Sequence, residues 1–339
     1  MEKKVLLTGI SGYIANHCAA ELLKQGFSVR GSLRDMSKAE KVIEAIKKEV
    51  NPEDNLEFCE LDLLEDKGWD KAMIGCDYLL HVASPFINIE PKDANLYIKP
   101  AVEGTKRALE AAKKAGVKRV VLTSSMVSML GDANQSQNVN ESTWTNVNAK
   151  NVSAYAKSKT LAEKFAWDFI KSQNKESFME LVVVNPGPVF GPSLSGNLEG
   201  TSMKMFKQLI TGEMPMIPKA GINMSDVRDI AKIHVLALEN KKASGNRYIV
   251  TTQKAYQFQE MAQILKSNGY EKVSTKLAPN FLLNFMGNFN REAKSMRAFI
   301  GKTYTGDITP AMSTFDWEPI SFKQTLLDTA KSITEIIKK

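Results

Sequence analysis

Short apolar runs recur through the first 190 positions, and each run is rich in valine or leucine. Each is followed or ended by Gly, Asp, Ser or Pro; the runs are VLLTG, SVRGSL, LEFCELD, YLLHVAS, RVVLTSS and ELVVVNPG. Such continuous runs are typical of strands that are buried on both faces of a parallel sheet, because a strand with one wet face would alternate apolar and polar residues. The pattern therefore predicts a series of buried parallel strands.

Helical patterns lie between these predicted strands. One covers His17 to Gln25 and is closed by Gly26, and another covers Ala101 to Ala115 and is closed by Gly116. Glycine directly after the last turn is a common way for a helix to end. The alternation of strand and helix predicts an α/β protein with a doubly wound parallel sheet.

The pattern changes after Pro192, where methionine and turn residues become more frequent and the alternation is less regular. The periodicity there predicts a strand over Arg247 to Thr251 and three helices, near Asp226 to Glu239, Phe258 to Ser267 and Lys323 to Ile337. These elements predict a smaller, discontinuous second lobe.

Composition narrows the functional classes. With 339 residues, of which 43% are hydrophobic, the chain can bury a substantial core, which excludes a disordered or collagen-like protein. The net charge of +7 comes mainly from lysines that alternate with glutamates at helical spacing, as in 39–48, and there is no arginine-rich run. We therefore expect no nucleic-acid partner, whereas anionic cofactors or substrates remain compatible.

The cysteines and the apolar stretches indicate where the protein works. Cys18, Cys59 and Cys76 have neither CxxC spacing nor a neighbouring histidine, which predicts reduced thiols and no metal site. No apolar stretch approaches the roughly 20 residues of a bilayer span, and the run Val5 to Leu7 is too short for a signal peptide. We expect a cytoplasmic protein without membrane contact.

The segment LLTGISGYIA, Leu6 to Ala15, places two glycines between the first predicted strand and the next helix. Gly9 falls at the sharp turn, and Gly12 falls where the backbone would approach a pyrophosphate at the positive end of the helix. Ala15 is small enough for the helix to pack closely on the strand. The same glycines would also suit an ordinary turn, so this loop alone leaves dinucleotide binding open.

The residues after the second predicted strand indicate which dinucleotide would fit. An acidic residue here would accept hydrogen bonds from an adenosine ribose, but the strand ends in Leu33 and Arg34, with Lys38 one turn later. Arginine offers a fork of donors to a 2′-phosphate. Asp35 is expected to point away or to cap the next helix, so NADPH is favoured over NADH; alternatively, Arg34 and Lys38 form only a solvated surface.

Candidate chemistry lies in YAKSK and at the end of RVVLTSS. Tyr155 and Lys159 are four residues apart, so both project from one helix face, and an adjacent ammonium would lower the pKa of the tyrosine. Such a pair is a workable acid/base unit, although a surface tyrosine beside a lysine would give the same spacing. Ser124 and Ser125 fall at the carboxyl edge of the sheet, where a hydroxyl could orient a carbonyl oxygen.

Together these segments resemble the extended branch of the short-chain dehydrogenase/reductase superfamily. The resemblance covers nearly the whole chain and rests on TGISGYIA, LDL, HVASP, VLTSS, YAKSK, NPGPVFGP and DVRDIAKIHVLAL. SLRDMSK and PAVEGTKRALEAAKKAGVKRVVLTSS are similar to segments of the dihydroflavonol reductase, cinnamoyl-CoA reductase and methylglyoxal/aldehyde reductase group. The resemblance implies a Rossmann domain for NADP(H), formed by 1–190 with about 222–250, and a C-terminal substrate lobe formed by 191–221 and 251–339.

The resemblance also implies roles for individual residues. Tyr155 would donate a proton to the substrate oxygen, Ser125 would orient that oxygen, and Lys159 would bind the nicotinamide ribose and lower the pKa of Tyr155. Ser225 stands where relatives often carry a bulkier or acidic residue, which leaves the local wall of the site open. Further cofactor contacts are expected along the glycine loop and the strand ends, at Thr8, Gly9, Ser11, Gly12, Tyr13, Ile14, Arg34, Lys38, Asp62, Leu63, Val82, Ala83, Ser84, Thr123, Pro186, Gly187 and Val189.

The predicted function is NADPH-dependent reduction of an apolar aldehyde or ketone by a monomer or homodimer. A sugar-nucleotide epimerase or dehydratase of the same branch is disfavoured by Arg34, because those enzymes commonly keep NAD with an acidic partner. A non-catalytic NADP-sensing regulator is disfavoured by the joint presence of Ser125, Tyr155 and Lys159. The predicted substrate pocket is mainly apolar and includes Phe86, Ser125, Met126, Val127 and Phe190.

Overall fold

A seven-stranded parallel sheet forms the centre of the molecule. The computed structural model describes residues 3–84, 91, 93–174, 178–286 and 299–338. The sheet strands are β1 (Lys4–Leu7), β2 (Ser28–Leu33), β3 (Leu56–Glu60), β4 (Tyr78–His81), β5 (Arg119–Thr123), β6 (Glu180–Pro186) and β7 (Arg247–Val250). Their spatial order is β7-β6-β5-β4-β1-β2-β3, and every pairing is parallel. This order confirms the predicted doubly wound Rossmann fold.

The described helices connect these strands or follow the sheet. They are α1 (Tyr13–Lys24), α2 (Ala39–Lys47), α3 (Trp69–Met73), α4 (Asn95–Lys114), α5 (Ala154–Lys171), α6 (Thr201–Thr211), α7 (Val227–Glu239), α8 (Phe258–Ser267), α9 (Asn280–Met286), α10 (Thr309–Phe315) and α11 (Phe322–Ile337). Short 3₁₀ helices cover Met36–Lys38, Met126–Met129 and Lys241–Ala243. Within the described ranges, no helix is both long enough and apolar enough to cross a bilayer.

The predicted helices occur, but one of them begins earlier than expected. Helix α1 begins at Tyr13, directly after the glycine turn, which agrees with the expected place of Gly12 at the positive end of this helix. Helix α4 begins at Asn95 and contains Pro100, whereas the pattern places its start at Ala101. Proline usually marks the first turn of a helix, so the sequence pattern does not detect the residues that precede Pro100 in α4.

Successive residues of each strand point to opposite faces of the sheet, and each face is covered by its own apolar core. In β1, Val5 and Leu7 pack with α1, α2 and α7, while Leu6 points the other way and packs with α3, α4 and α5. This division follows from the two-residue period of a strand. It explains why the buried strands are apolar at consecutive positions rather than at alternate ones.

A third apolar core lies between α6, α8 and α11 and includes Phe190. Short two-stranded ladders accompany it and tie distant parts of the chain together. Val189–Phe190 pairs with Ser225–Asp226, Gly221–Ile222 with Tyr256–Gln257, and Gln137–Val139 with Tyr304–Gly306. The division into 1–190 with about 222–250 and a second lobe of 191–221 and 251–339 stays a prediction.

The carboxyl ends of the sheet strands share one edge because all seven strands run in the same direction. The strand order reverses between β1 and β4, so a crevice opens beyond the ends of these two strands. The glycine loop after β1 and the serines after β5 both lie at this edge. The topology thus brings together segments that are more than 100 residues apart in the chain.

Candidate active site

The glycine loop between β1 and α1 makes a tight turn against the end of β4. Gly9 has a φ of +66°, and a Cβ at this position would lie 2.9 Å from the Ala83 Cβ. The Gly9 amide donates to Ser32 Oγ at 2.9 Å, and the Gly12 amide donates to the Gly9 carbonyl at 2.8 Å. The loop is therefore fixed to its neighbouring strands on both sides.

At the start of helix α1, the first backbone amides face the crevice without a side-chain cap. Its N-cap is Gly12, which has no side chain to bond the first amides of the helix. Positive charge from the helix dipole is concentrated there, in the geometry that holds a phosphate. The hydroxyl of Tyr13 points elsewhere and donates to the Gly191 carbonyl at 2.9 Å, so any cofactor contact of Tyr13 is left to its backbone. Ser11 and Ile14 are half-buried beside it.

The end of β2 presents two exposed cations. Arg34 and Lys38 are both exposed, while the Asp35 carboxylate between them turns back to accept from the Ser37 amide at 3.0 Å and the Ser37 hydroxyl at 2.6 Å. These hydrogen bonds lower the pKa of the Asp35 carboxyl. The acidic side chain caps the 3₁₀ helix, as the sequence predicts, and Arg34 and Lys38 stay exposed on either side of it.

Further residues at this edge of the sheet follow β3 and β4. Half-buried Asp62 accepts from the Leu64 amide at 2.8 Å, and Leu63 packs against α4, where a Cβ on Gly104 would lie 3.2 Å from the Leu63 Cβ. Val82, Ala83 and Ser84 follow β4 and are half-buried. These residues form the side of the crevice predicted to receive the cofactor.

Buried polar groups fix the floor of the crevice. Thr8 Oγ1 accepts from the Ala83 amide at 3.0 Å and lies 3.1 Å from His81 Nδ1. Thr123 Oγ1 lies 2.7 Å from His234 Nε2. Burial lowers the pKa of His81 to about 3 and that of His234 to about 4, so both imidazoles are neutral at physiological pH.

Tyr155 and Lys159 stand on the first turns of α5. The helix starts cleanly because Ser153 caps it and accepts from the Ala156 amide at 3.2 Å. The four-residue spacing places both side chains on the face of α5 that meets β5, where Lys159 Nζ donates to the Thr123 carbonyl at 3.3 Å. A small cavity of about 20 Å³ adjoins this ammonium and is lined by residues that include His81, Ser84 and Lys159.

The pKa of Tyr155 moves in the direction opposite to the predicted one. Burial raises it to about 12, a hydrogen bond with Ser125 lowers it, and Tyr97, whose ring lies edge-on at 6.4 Å, raises it. The phenol is therefore protonated at neutral pH, which is the form a proton donor requires.

The pKa of Lys159 falls to about 8. Burial is the larger cause, because the ammonium lies in a nearly closed site, and the carboxylate of Glu163 one turn later opposes it by raising the pKa. Near neutral pH the ammonium is therefore mostly protonated but titrates within about one unit of it. The charge of Lys159 is therefore more sensitive to neighbouring groups than the charge of an exposed lysine is.

Ser125 lies directly after β5 and begins a 3₁₀ helix. Its hydroxyl donates to the Pro186 carbonyl and accepts from the Val127 amide, both at the long distance of 3.4 Å. Both bonds are weak enough for the hydroxyl to exchange them for a better partner. Ser125, which lies 30 residues before Tyr155 in the sequence, is thus brought to the same side of the crevice as Tyr155 and Lys159.

The loop after β6 forms the remaining side. Pro186 is buried, whereas Gly187 and Val189 are half-buried. A Cβ on Gly187 would lie 2.1 Å from the Asn223 carbonyl oxygen, so only glycine fits this crossing. The sequence did not show what Ser225 contributes to the wall of the site. In the structure its hydroxyl accepts from the Gly187 amide at 2.9 Å and thereby holds this loop in place.

The predicted substrate pocket is only partly assembled from the residues expected. Met126 is buried and Val127 half-buried beside Ser125, and Phe86 lies outside the described residues. Phe190 is fully buried and packs against Phe206, with ring centroids 5.5 Å apart. The structure therefore corrects the prediction for Phe190: it belongs to the core, because its side chain follows a strand into the space between α6 and α11.

A buried polar group that was not predicted from the sequence lies beneath Ser125. Glu163 is fully buried and pairs with Arg247, the first residue of β7, across a distance of 2.7 Å. The position of Glu163 four residues after Lys159 places it on the same face of α5, and this spacing was available in the sequence. No local pattern identifies Arg247, because its partner lies on another element.

Comparison with known proteins agrees with this architecture. The model of the NAD dependent epimerase/dehydratase family matches residues 5–251. Cinnamoyl-CoA reductase CAD2 of Medicago truncatula is 35% identical over 269 residues, covering 77% of this chain and 79% of that protein. NADPH-dependent methylglyoxal reductase GRE2 of Saccharomyces cerevisiae is 33% identical over 285 residues, covering 78% of this chain and 82% of that protein.

A solved structure extends the likeness to the whole chain. The crystal structure of yeast methylglyoxal/isovaleraldehyde reductase Gre2 complexed with NADPH superposes with a TM-score of 0.79. The identity is 28%, and 99% of both chains is covered. The chain therefore belongs to the NAD dependent epimerase/dehydratase family, in the extended branch of the short-chain dehydrogenases/reductases.

Proposed function

We propose that this protein is an NADPH-dependent oxidoreductase that reduces the carbonyl group of a small aldehyde or ketone to an alcohol. The observation that carries the proposal is the convergence of Ser125, Tyr155 and Lys159 beside a glycine loop built for a pyrophosphate. The relatives named as reductases, and the NADPH bound to yeast Gre2, favour reduction over epimerisation.

The residues around the crevice fit NADP(H). The uncapped start of α1 and the turn at Gly9 would hold the pyrophosphate, since backbone amides and the helix dipole favour an anion there. Arg34 and Lys38 would face the 2′-phosphate, because both are exposed and the Asp35 carboxylate is turned into its own hydrogen bonds. A 2′-phosphate would meet two cations, and the Asp35 carboxylate between them is already engaged by Ser37.

When bound in the crevice, NADPH would supply the hydride for the carbonyl carbon. In the proposed reaction Ser125 donates a hydrogen bond to the carbonyl oxygen and orients it toward the phenol of Tyr155. Tyr155 is neutral at physiological pH and can give its proton to that oxygen as negative charge develops. The Lys159 ammonium would bind the nicotinamide ribose and stabilise the phenolate left behind.

The substrate class follows from the side chains near Ser125. Met126 and Val127 offer apolar surface on this side, and methionine adapts to different shapes. We therefore propose that small apolar aldehydes or ketones are preferred over polar sugar nucleotides. Pro186, Gly187 and Val189 would flank the nicotinamide.

The test is the oxidation of NADPH and NADH by the purified protein with a panel of aldehydes, ketones and methylglyoxal. We expect turnover with NADPH and a loss of about 100-fold or more in kcat/KM for Tyr155→Phe, because the proton donor is removed. Tyr78→Phe is the matched control, since it removes a hydroxyl that donates to Glu239 at the opposite edge of the sheet. Full activity of Tyr155→Phe would disprove the assigned proton donor; turnover of sugar nucleotides alone would disprove the substrate class.

A further inference from the structure

A buried carboxylate lies beneath the proposed active site. Glu163 is 0% exposed, and its Oε2 accepts from three side chains: Ser124 Oγ at 2.5 Å, Ser128 Oγ at 2.7 Å and Asn185 Nδ2 at 3.0 Å. These three donors come from the end of β5, the following 3₁₀ helix and β6. One carboxylate thus joins three separate segments to α5.

The second oxygen of Glu163 faces Arg247. The Arg247 Nε lies 2.7 Å from Oε1, and its guanidinium donates to Ser128 Oγ at 3.0 Å and to the Thr143 carbonyl at 2.9 Å. The Trp144 ring covers the guanidinium, with its centroid 3.7 Å from Cζ. Ser128, Thr143 and Trp144 thereby surround the guanidinium of the ion pair.

The partners of Glu163 also hold the backbone of Ser125. The Ser125 carbonyl accepts from the Ser128 amide at 2.9 Å and from Asn185 Nδ2 at 3.3 Å, and it lies 2.8 Å from the Ser128 hydroxyl, whose single proton it shares with Glu163. The same carboxylate therefore connects the peptide that carries the Ser125 hydroxyl with the helix that carries Tyr155 and Lys159. Glu163 therefore holds both the Ser125 segment and the helix that carries Tyr155 and Lys159.

Stability alone does not account for this arrangement. Taking a carboxylate and a guanidinium out of water is costly, and well-packed apolar residues of similar volume are often as stable. We propose that the Glu163–Arg247 pair is a positioning unit, which fixes the Ser125 hydroxyl relative to Tyr155 and Lys159. This inference rests on the proposed reductase function for its catalytic consequence, and on the contacts above for its geometry.

The charge of Lys159 is set by few groups. His81 faces it from β4 and is neutral, Tyr97 of α4 lies beside the Tyr155 ring, and Arg247 approaches Glu163 from β7. Glu163 raises the pKa of Lys159 against the effect of burial. Loss of its negative charge would lower the pKa of Lys159 below about 8, and the unpaired guanidinium would add to that shift.

The decisive variant is Glu163→Gln, which keeps the shape of the side chain and removes its charge. Glu180→Gln is the matched control, because Glu180 also pairs with a buried arginine, Arg119, at 2.5 Å, but at the amino edge of the sheet. For each protein we would measure kcat, the KM of substrate, the dissociation constant of NADPH by fluorescence titration, and the pH dependence of kcat/KM. The titration of Lys159 would be followed by competitive acetylation and mass spectrometry, which does not depend on turnover.

For Glu163→Gln we expect kcat to fall by about 10- to 100-fold, because a small misplacement of reacting groups is enough for such a loss. The dissociation constant of NADPH should stay within about twofold. Both the basic limb of the pH profile and the acetylation midpoint of Lys159 should move to lower pH, while Glu180→Gln matches the wild type. Unchanged kcat and midpoint, or the same changes in the control, would overturn the proposal.

Ser128→Ala decides the matter if Glu163→Gln does not fold. This variant removes one donor shared by Glu163 and the Ser125 carbonyl, and it leaves both charges in place. A lower kcat at unchanged NADPH affinity supports the positioning unit, and a wild-type kcat refutes it. A wild-type protein that reduces no carbonyl compound refutes the proposed function instead, and the acetylation midpoint then tests the inference by itself.

Discussion

The close approach of the glycine loop to β4 makes Gly9→Ala a sharp test of the cofactor site. Two costs add at this position. An alanine at a φ of +66° is disfavoured by about 1–2 kcal/mol relative to glycine. Its Cβ would also lie 2.9 Å from the Ala83 Cβ and 3.3 Å from the Ala83 Cα, an overpacking that costs about 1–3 kcal/mol.

Gly26→Ala separates these two costs. Gly26 has a φ of +78°, close to that of Gly9, but a Cβ there would have no atom within 4 Å. We therefore expect Gly26→Ala to lower the free energy of unfolding by about 1–2 kcal/mol and Gly9→Ala by about 2–5 kcal/mol. The difference between the variants measures the steric contact alone.

The assay combines urea-induced unfolding with titration of NADPH. Because Gly9 and Ala83 both border the crevice, the displacement should weaken NADPH binding by about tenfold or more, equivalent to about 1.4 kcal/mol. Gly26→Ala should bind NADPH like the wild type. Equal losses of stability in the two variants, together with unchanged NADPH binding by Gly9→Ala, would refute this account of the loop.

Two further predictions concern the cofactor and the acid range. Arg34→Ala should raise the KM for NADPH by about tenfold and leave that for NADH within about twofold, because only NADPH carries the 2′-phosphate; equal effects in steady-state assays would remove this assignment. Burial raises the pKa of Asp229 to about 6, although Trp317 Nε1 and the Ile320 amide donate to its carboxylate. The folded state therefore binds this proton more tightly than the unfolded state, and its stabilising effect, at most about 3 kcal/mol, is lost as pH rises from about 4 to 6. Asp229→Asn should remove that part of the pH dependence, so its free energy of unfolding should improve relative to the wild type between pH 4 and pH 7; a constant difference in urea titrations would contradict the shifted pKa.

The sequence predicted the features whose physical cause is local. Consecutive apolar residues indicated strands buried on both faces, and the structure confirms a parallel sheet in the doubly wound order. The glycine turn, the cap made by Asp35 and the spacing of Tyr155 and Lys159 on one helix face are also local, because each depends on residues within a few positions. Such features can be predicted without knowing which distant residues pack against them.

Other features were decided only by packing between distant elements. Phe190 was expected in the substrate pocket, yet it lies in the core, since apolar character does not reveal which side of a loop will be covered. The pKa of Tyr155 was expected to fall, but the neighbours that surround the ring outweigh the spacing on its own helix.

The Glu163–Arg247 pair shows the limit most clearly. The sequence by itself determined that Glu163 shares a helix face with Lys159, because helical period fixes that relation. Only the tertiary structure decided that β7 would bring Arg247 to within 2.7 Å of it, and that Trp144 would cover the guanidinium. Burial of charge depends on what closes around it, and those groups come from parts of the chain that the local pattern does not connect.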